Sequence, residues 1–131
     1  MIVGVPREIY PGERRVALVP AVIPLLAKAG LEVMVEAGAG ASAGYPDGDY
    51  AAKGAKIAAD RAEVFRSADV IVQVLCYGAN DKTGKEDVAL LRRDQALIGF
   101  LRPPSLNIYS HVQRVVLDPA EVKRGSAKNA K

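Results

Sequence analysis

Apolar positions alternate with helical stretches along most of the chain. Ile2–Val5 is a short β-branched run that stops at Pro6 and reads as a first strand. Residues 7–15 are polar and contain Pro11-Gly12, a loop signal. Val22, Leu25, Leu26 and Ala29 fall at helical spacing, with Gly30 just past the end. Pro24 allows two readings: the helix starts late, with the proline in its first turn, or it bends there. Leu31, Val33 and Val35 alternate with Glu32, Met34 and Glu36, a second strand. Residues 38–48 hold four glycines and Pro46 and read as a loop.

A short helix over Asp49–Lys53, closed by Gly54, leads to a brief strand at Ala55–Ala58. Asp60 is placed to cap a helix running to Arg66. Asp69–Cys76 is the clearest strand, apolar enough to be covered on both faces. A polar loop, a helix over Glu86–Arg93 and a buried strand over Ala96–Leu101 follow. Ser110–Leu117 fits either a helix or a strand.

Alternation of this kind predicts an α/β fold: a doubly wound, mostly parallel, three-layer sheet of the Rossmann-like or flavodoxin-like type, in one domain. Ligands of such sheets sit at the carboxyl ends of the strands. Residues 7–15, 76–80 and 102–105 would line that rim.

Half of the 131 residues are hydrophobic and a quarter are charged, the balance of a globular chain. No apolar run has the roughly 18 residues of a membrane helix. The start has no basic and apolar leader pattern, so a cytoplasmic location is expected. The lone Cys76 allows no internal disulfide. Net charge is +3, and residues 119–131 carry all of it: the first 118 residues hold 14 basic and 14 acidic side chains. A neutral body without a basic stripe argues against nucleic-acid binding. Residues 108–131 are expected to form a divergent, partly disordered basic tail.

Arg7, Glu8, Glu13, Arg14 and Arg15 put three guanidiniums and two carboxylates in one rim loop. An arginine fork binds two oxygens of a carboxylate or phosphate at once. The same residues also fit a solvated loop with internal ion pairs. Arg102 ends a strand and either projects into the cleft or lies on the surface. Residues 38–43 satisfy the dinucleotide pattern G-x-G-x-x-A, but Gly44, Pro46 and Gly48 break any helix there, so a tight turn is expected. His111 has no partner in the pattern, and Cys76 reads as a buried, inert thiol. Histidines and cysteines are too few for a transition-metal site. No residue is assigned a catalytic, cofactor-binding or metal-binding role.

The opening, Ile2-Val3-Gly4-Val5-Pro6-Arg7-Glu8 followed by Glu13-Arg14-Arg15-Val16-Ala17, resembles the signature of the N-terminal domain shared by alanine dehydrogenases and proton-translocating NAD(P) transhydrogenase α subunits. Glu36-Ala37-Gly38-Ala39-Gly40, Gly54-Ala55, Ala68-Asp69 and Leu101-Arg102-Pro103 fall where similar segments recur, so the resemblance covers residues 1–107. It implies that Arg15 matches the pyruvate-binding arginine of the dehydrogenases. The position of their lysine falls at Leu75, and that of their catalytic histidine at Arg102. Leucine cannot anchor a carboxylate, and arginine titrates too high to shuttle a proton.

The resemblance therefore favours the transhydrogenase branch. That branch uses NAD(H) and NADP(H) in the full assembly, with a Rossmann domain and a membrane β-subunit as partners, a homodimeric α subunit, and a cytoplasmic position peripheral to the inner membrane. The chain itself is expected to be a truncated fragment that binds neither cofactor alone. A substrate domain of an alanine or saccharopine dehydrogenase, and a non-catalytic partner-binding paralogue, are the alternatives.

Overall fold

The computed structural model describes residues 1–76, 79–80, 83–100 and, by its backbone, 112–116. Strands β1 (Ile2–Val5), β2 (Glu32–Glu36), β3 (Lys56–Ala58), β4 (Val70–Leu75), β5 (Ala96–Phe100) and β6 (Val112–Val116) form one sheet in the order β3-β2-β1-β4-β5-β6. The first five pair in parallel. β6 joins the edge antiparallel to β5, from Ala96 opposite Val116 to Phe100 opposite Val112. Of the segment 110–117, left open between helix and strand, the described residues Val112–Val116 form a strand.

Side-chain alternation divides the core between the two faces of the sheet. Val3, Val5, Val33 and Val35 pack with Ile23 of helix α1 (Ile23–Lys28) and Tyr50 of helix α2 (Asp47–Ala52). Ile71, Ala58 and Leu97 pack with Val64 and Phe65 of helix α3 (Arg61–Ser67), and with Leu91. Both faces are therefore covered, as the doubly wound reading requires.

Pro24 stands in the first turn of α1, after a 3-10 turn at Pro20–Val22, so the late start is the one realised. The Asp60 side chain accepts the Glu63 N–H at 2.8 Å and caps α3. Helix α2 begins at Asp47, two residues before its expected start, with Pro46 extended as its cap. The Asp47 carboxylate also accepts the Gly38 N–H at 2.8 Å, which ties the preceding loop to the helix.

Helix α4 (Gly84–Val88) is shorter than the expected Glu86–Arg93. Gln95 explains the early end. Its buried amide donates to the Phe65 and Ala68 carbonyls, both at 2.7 Å, and its carbonyl accepts the Arg92 N–H at 3.1 Å. The chain thus turns at Arg92–Gln95 to close the carboxyl end of α3, and Asp94 takes a left-handed conformation there (φ 65°).

Candidate functional site

The strand order reverses between β1 and β4, since the chain builds outward from β1 to β3 on one side and from β4 to β5 on the other. In open α/β sheets this switch point, at the carboxyl ends of the strands, is where ligands lie. Pro6, Arg7 and Glu8 leave β1 at that point, and Cys76 leaves β4 beside them.

Residues 7 and 8 are pinned there by three elements. The Arg7 N–H donates to Glu36 Oε2 at the end of β2, at 2.7 Å. Arg61 of α3 donates to the Arg7 carbonyl at 2.5 Å and to Glu36 Oε2 at 3.3 Å. Glu8 turns across the switch point, where its carboxylate accepts the N–H groups of Val74 at 2.5 Å and Leu75 at 3.1 Å. Burial pushes the Glu8 carboxyl above its ordinary range. Its two amide donors pull it down, nearby Glu13 pushes it up and Arg61 lowers it, and the net direction is upward.

Arg61 is anchored in turn by Asp87 of α4, through Nε–Oδ1 and Nη2–Oδ2 bonds of 2.6 Å each, and its guanidinium lies 5.5 Å from the Phe65 ring centre. Burial disfavours the Arg61 charge, but Asp87 and Glu36 outweigh it and raise the guanidinium's proton affinity. Gln73, buried on β4, donates to the same Asp87 carboxylate at 3.4 Å.

The second rim segment touches the first. Asn80, buried after β4, accepts the Thr83 N–H at 3.1 Å and the Thr83 hydroxyl at 2.9 Å. The Thr83 hydroxyl also lies 3.5 Å from the Ile9 carbonyl.

Of the predicted ligand contacts, Arg7, Arg14 and Arg15 lie exposed on the first rim loop. The Arg15 fork closes on its neighbour Glu13, with Nε–Oε1 and Nη2–Oε2 bonds of 2.8 Å. That contact holds the Glu13 carboxyl below its usual range. Arg102 and His111 lie outside the described residues. The Cys76 thiol is buried and pushed up to about 12 by burial, so it is no nucleophile at neutral pH.

Residues 38–43 form a turn and a single 3-10 segment (Ala41–Ala43), ended by Gly44 at φ 89°. No α-helix opens there, so the turn expected from the glycines is what forms. Among the described residues no acidic, histidine or cysteine cluster could hold a metal ion.

The brace of Glu36, Arg61, Asp87 and Gln73 was not anticipated from the sequence. A glutamine inside the apolar run of β4 was its one local signal.

This architecture defines a doubly wound α/β domain whose switch-point rim is set by a buried ionic brace. The chain belongs to the alanine dehydrogenase/PNT N-terminal domain family, whose model matches residues 4–118. It is 40% identical over 105 residues to the NAD(P) transhydrogenase subunit alpha of Cereibacter sphaeroides, covering 79% of this chain and 18% of that protein. It is 37% identical over 101 residues to the alanine dehydrogenase of Methanococcus maripaludis, covering 77% of this chain and 26% of that one. Among solved structures, an L-alanine dehydrogenase superposes with a TM-score of 0.67 at 33% identity, over 77% of this chain and 26% of that one. The transhydrogenase from Sinorhizobium meliloti does so with a TM-score of 0.67 at 30% identity, over 77% and 27%. The chain thus spans about a quarter or less of the length of these relatives.

Proposed function

We propose that the chain is the N-terminal domain of a transhydrogenase α-type protein, in which it supplies the rim that faces a separate nucleotide-binding domain. In this reading the whole assembly moves hydride between NADH and NADP⁺ and couples the transfer to proton movement. Its further partners are a membrane subunit and a second α subunit, and the domain works on the cytoplasmic side. Both nucleotides belong to the partner domains, because residues 38–43 make a turn and not a phosphate cradle.

The observation that carries the transhydrogenase reading is Leu75 at the tip of β4, half-buried beside the switch point. The family resemblance puts an alanine dehydrogenase's substrate lysine at this position. A leucine has no donor for a carboxylate.

Reconstitution in trans tests the assignment. The chain is mixed either with a transhydrogenase α subunit lacking its N-terminal domain or with an alanine dehydrogenase lacking its own. Restored NADH-to-NADP⁺ transfer in the first mixture supports the proposal. Restored pyruvate reduction with ammonium in the second, without the first, overturns it. Restoration of neither favours a non-catalytic partner-binding role.

A further inference from the structure

Arg7 is an exposed residue, and water could satisfy the backbone polar groups of such a position. Two charged side chains take them instead. Glu36 at the end of β2 accepts the Arg7 N–H at 2.7 Å, and Arg61 of α3 donates to the Arg7 carbonyl at 2.5 Å. The flanking residues are anchored as well. Pro6 is fully buried, with its φ set by the ring, and the Glu8 carboxylate is held by the Val74 and Leu75 amides. The peptide units on both sides of residue 7 are thereby fixed by the core, β2, α3 and β4.

We propose that Glu36 and Arg61 are positioning residues for Arg7, whose guanidinium contacts a phosphate group brought to the switch point. This deepens the function proposed above and rests on its reading of the rim, in which the facing domain carries a dinucleotide and so a pyrophosphate.

The acids of the rim are already engaged by other donors. The β4 amides hold Glu8, Arg15 holds Glu13, and Arg61 holds both Glu36 and Asp87. The Arg15 fork is closed on its neighbour, whereas at Arg7 it is the backbone that is clamped. A backbone ordered in advance removes part of the entropy cost of binding. Only the side-chain torsions of Arg7 are left to order, and a planar guanidinium matches two phosphate oxygens at once.

Titration of the 131-residue chain with inorganic pyrophosphate, read on the arginine Nε–H signals by NMR at constant pH and ionic strength, tests the proposal. The Arg7 signal should saturate at a lower concentration than that of Arg14, which is exposed on the same loop. Glu36→Ala and Glu36→Gln remove the same charge, and Arg61 keeps Asp87 in both. The glutamine carbonyl can still accept the Arg7 N–H, so the difference between the variants reports the hydrogen bond alone. Glu36→Ala should raise the Arg7 midpoint about threefold or more over Glu36→Gln. An Arg7 signal that does not respond, Arg7 and Arg14 saturating together, equal midpoints in the two variants, or a response to acetate as strong as to pyrophosphate would each overturn the proposal. The comparison of Arg7 with Arg14 keeps the test decisive if Glu36→Ala fails to fold. No hydride transfer enters the measurement, so its failure is distinct from failure of the transhydrogenase reading.

Discussion

Arg61 and Asp87 meet fork to fork, 26 positions apart in the chain, through two hydrogen bonds of 2.6 Å. The Arg61 side chain is 17% exposed and that of Asp87 6%, so the pair is largely withdrawn from water. It joins α3 to α4. Through the Arg7 carbonyl it also fixes the loop that leaves β1.

Removal of one partner should therefore destabilise the whole rim. Asp87→Ala leaves a buried guanidinium with Glu36 as its one remaining salt-bridge partner among the described residues, and costs about 3–5 kcal/mol by analogy with broken buried pairs. The measurement is chemical denaturation of the chain and the variant. A midpoint that stays in place would show that the pair contributes nothing to the fold. Asp87→Asn retains an acceptor and should lose less.

Glu8 gives stability a pH dependence of definite sign. Its carboxyl holds a proton more tightly in the folded chain than in the unfolded one. Its contribution to stability is therefore complete below the unfolded value and is lost as pH rises through the higher folded value. Glu13 has the opposite sign: its lowered carboxyl contributes above the unfolded value and loses that contribution as pH falls. Denaturation midpoints of the chain and of Glu8→Gln, compared across the mildly acidic range, isolate the Glu8 part. The chain should lose stability relative to the variant as pH rises, and a constant difference would refute the assignment.

Local chemistry made most of the scaffold legible in the sequence. The β-branched runs at Ile2–Val5 and Val70–Leu75 formed strands because few other backbones suit so many branched, buried side chains. Asp60 capped α3 because its carboxylate reaches the amides of the first turn. Helix α4 was overextended because Leu90 and Leu91 keep helical spacing, whereas the chain there is governed by Gln95 binding carbonyls 27 and 30 residues away. The brace was hidden for the same reason. Glu36, Arg61 and Asp87 come from separate elements, and no spacing relates them before the sheet is assembled. Even within the arginine loop, sequence proximity suggested internal ion pairs without singling out Glu13 and Arg15, and it gave no sign of the backbone amides that engage Glu8.

Gly99 sets how closely β5 approaches the bulge in β4. A Cβ at this position would lie 2.3 Å from both Cys76 Sγ and the Gln73 carbonyl oxygen. Backbone on one side and a buried thiol on the other leave little room to yield, so Gly99→Ala should cost at least the roughly 3 kcal/mol at the upper end of ordinary overpacking. Cys76 offers a built-in reporter. Its thiol should resist a thiol reagent in the folded chain and react rapidly in denaturant or in the Gly99→Ala variant. Equal labelling rates for the native chain and the variant would show that this corner of the sheet is not closed.

The exposed arginines should behave in the reverse way. Among the described residues Arg15 is paired only with Glu13, and its side chain is 63% exposed. Surface pairs of this kind contribute at most about 1 kcal/mol, so Arg15→Ala should leave the denaturation midpoint nearly unchanged. If the rim contacts a carboxylate or phosphate in the assembled enzyme, loss of a charge-assisted hydrogen bond worth about 1.5–3 kcal/mol predicts a fall in the reconstituted rate of about tenfold or more. Arg7→Ala should follow the same pattern, because the brace holds its backbone and the residue is exposed. Unchanged rates in both variants would remove these arginines from the ligand-facing surface, whereas a rate loss matched by a loss of stability would make them part of the scaffold.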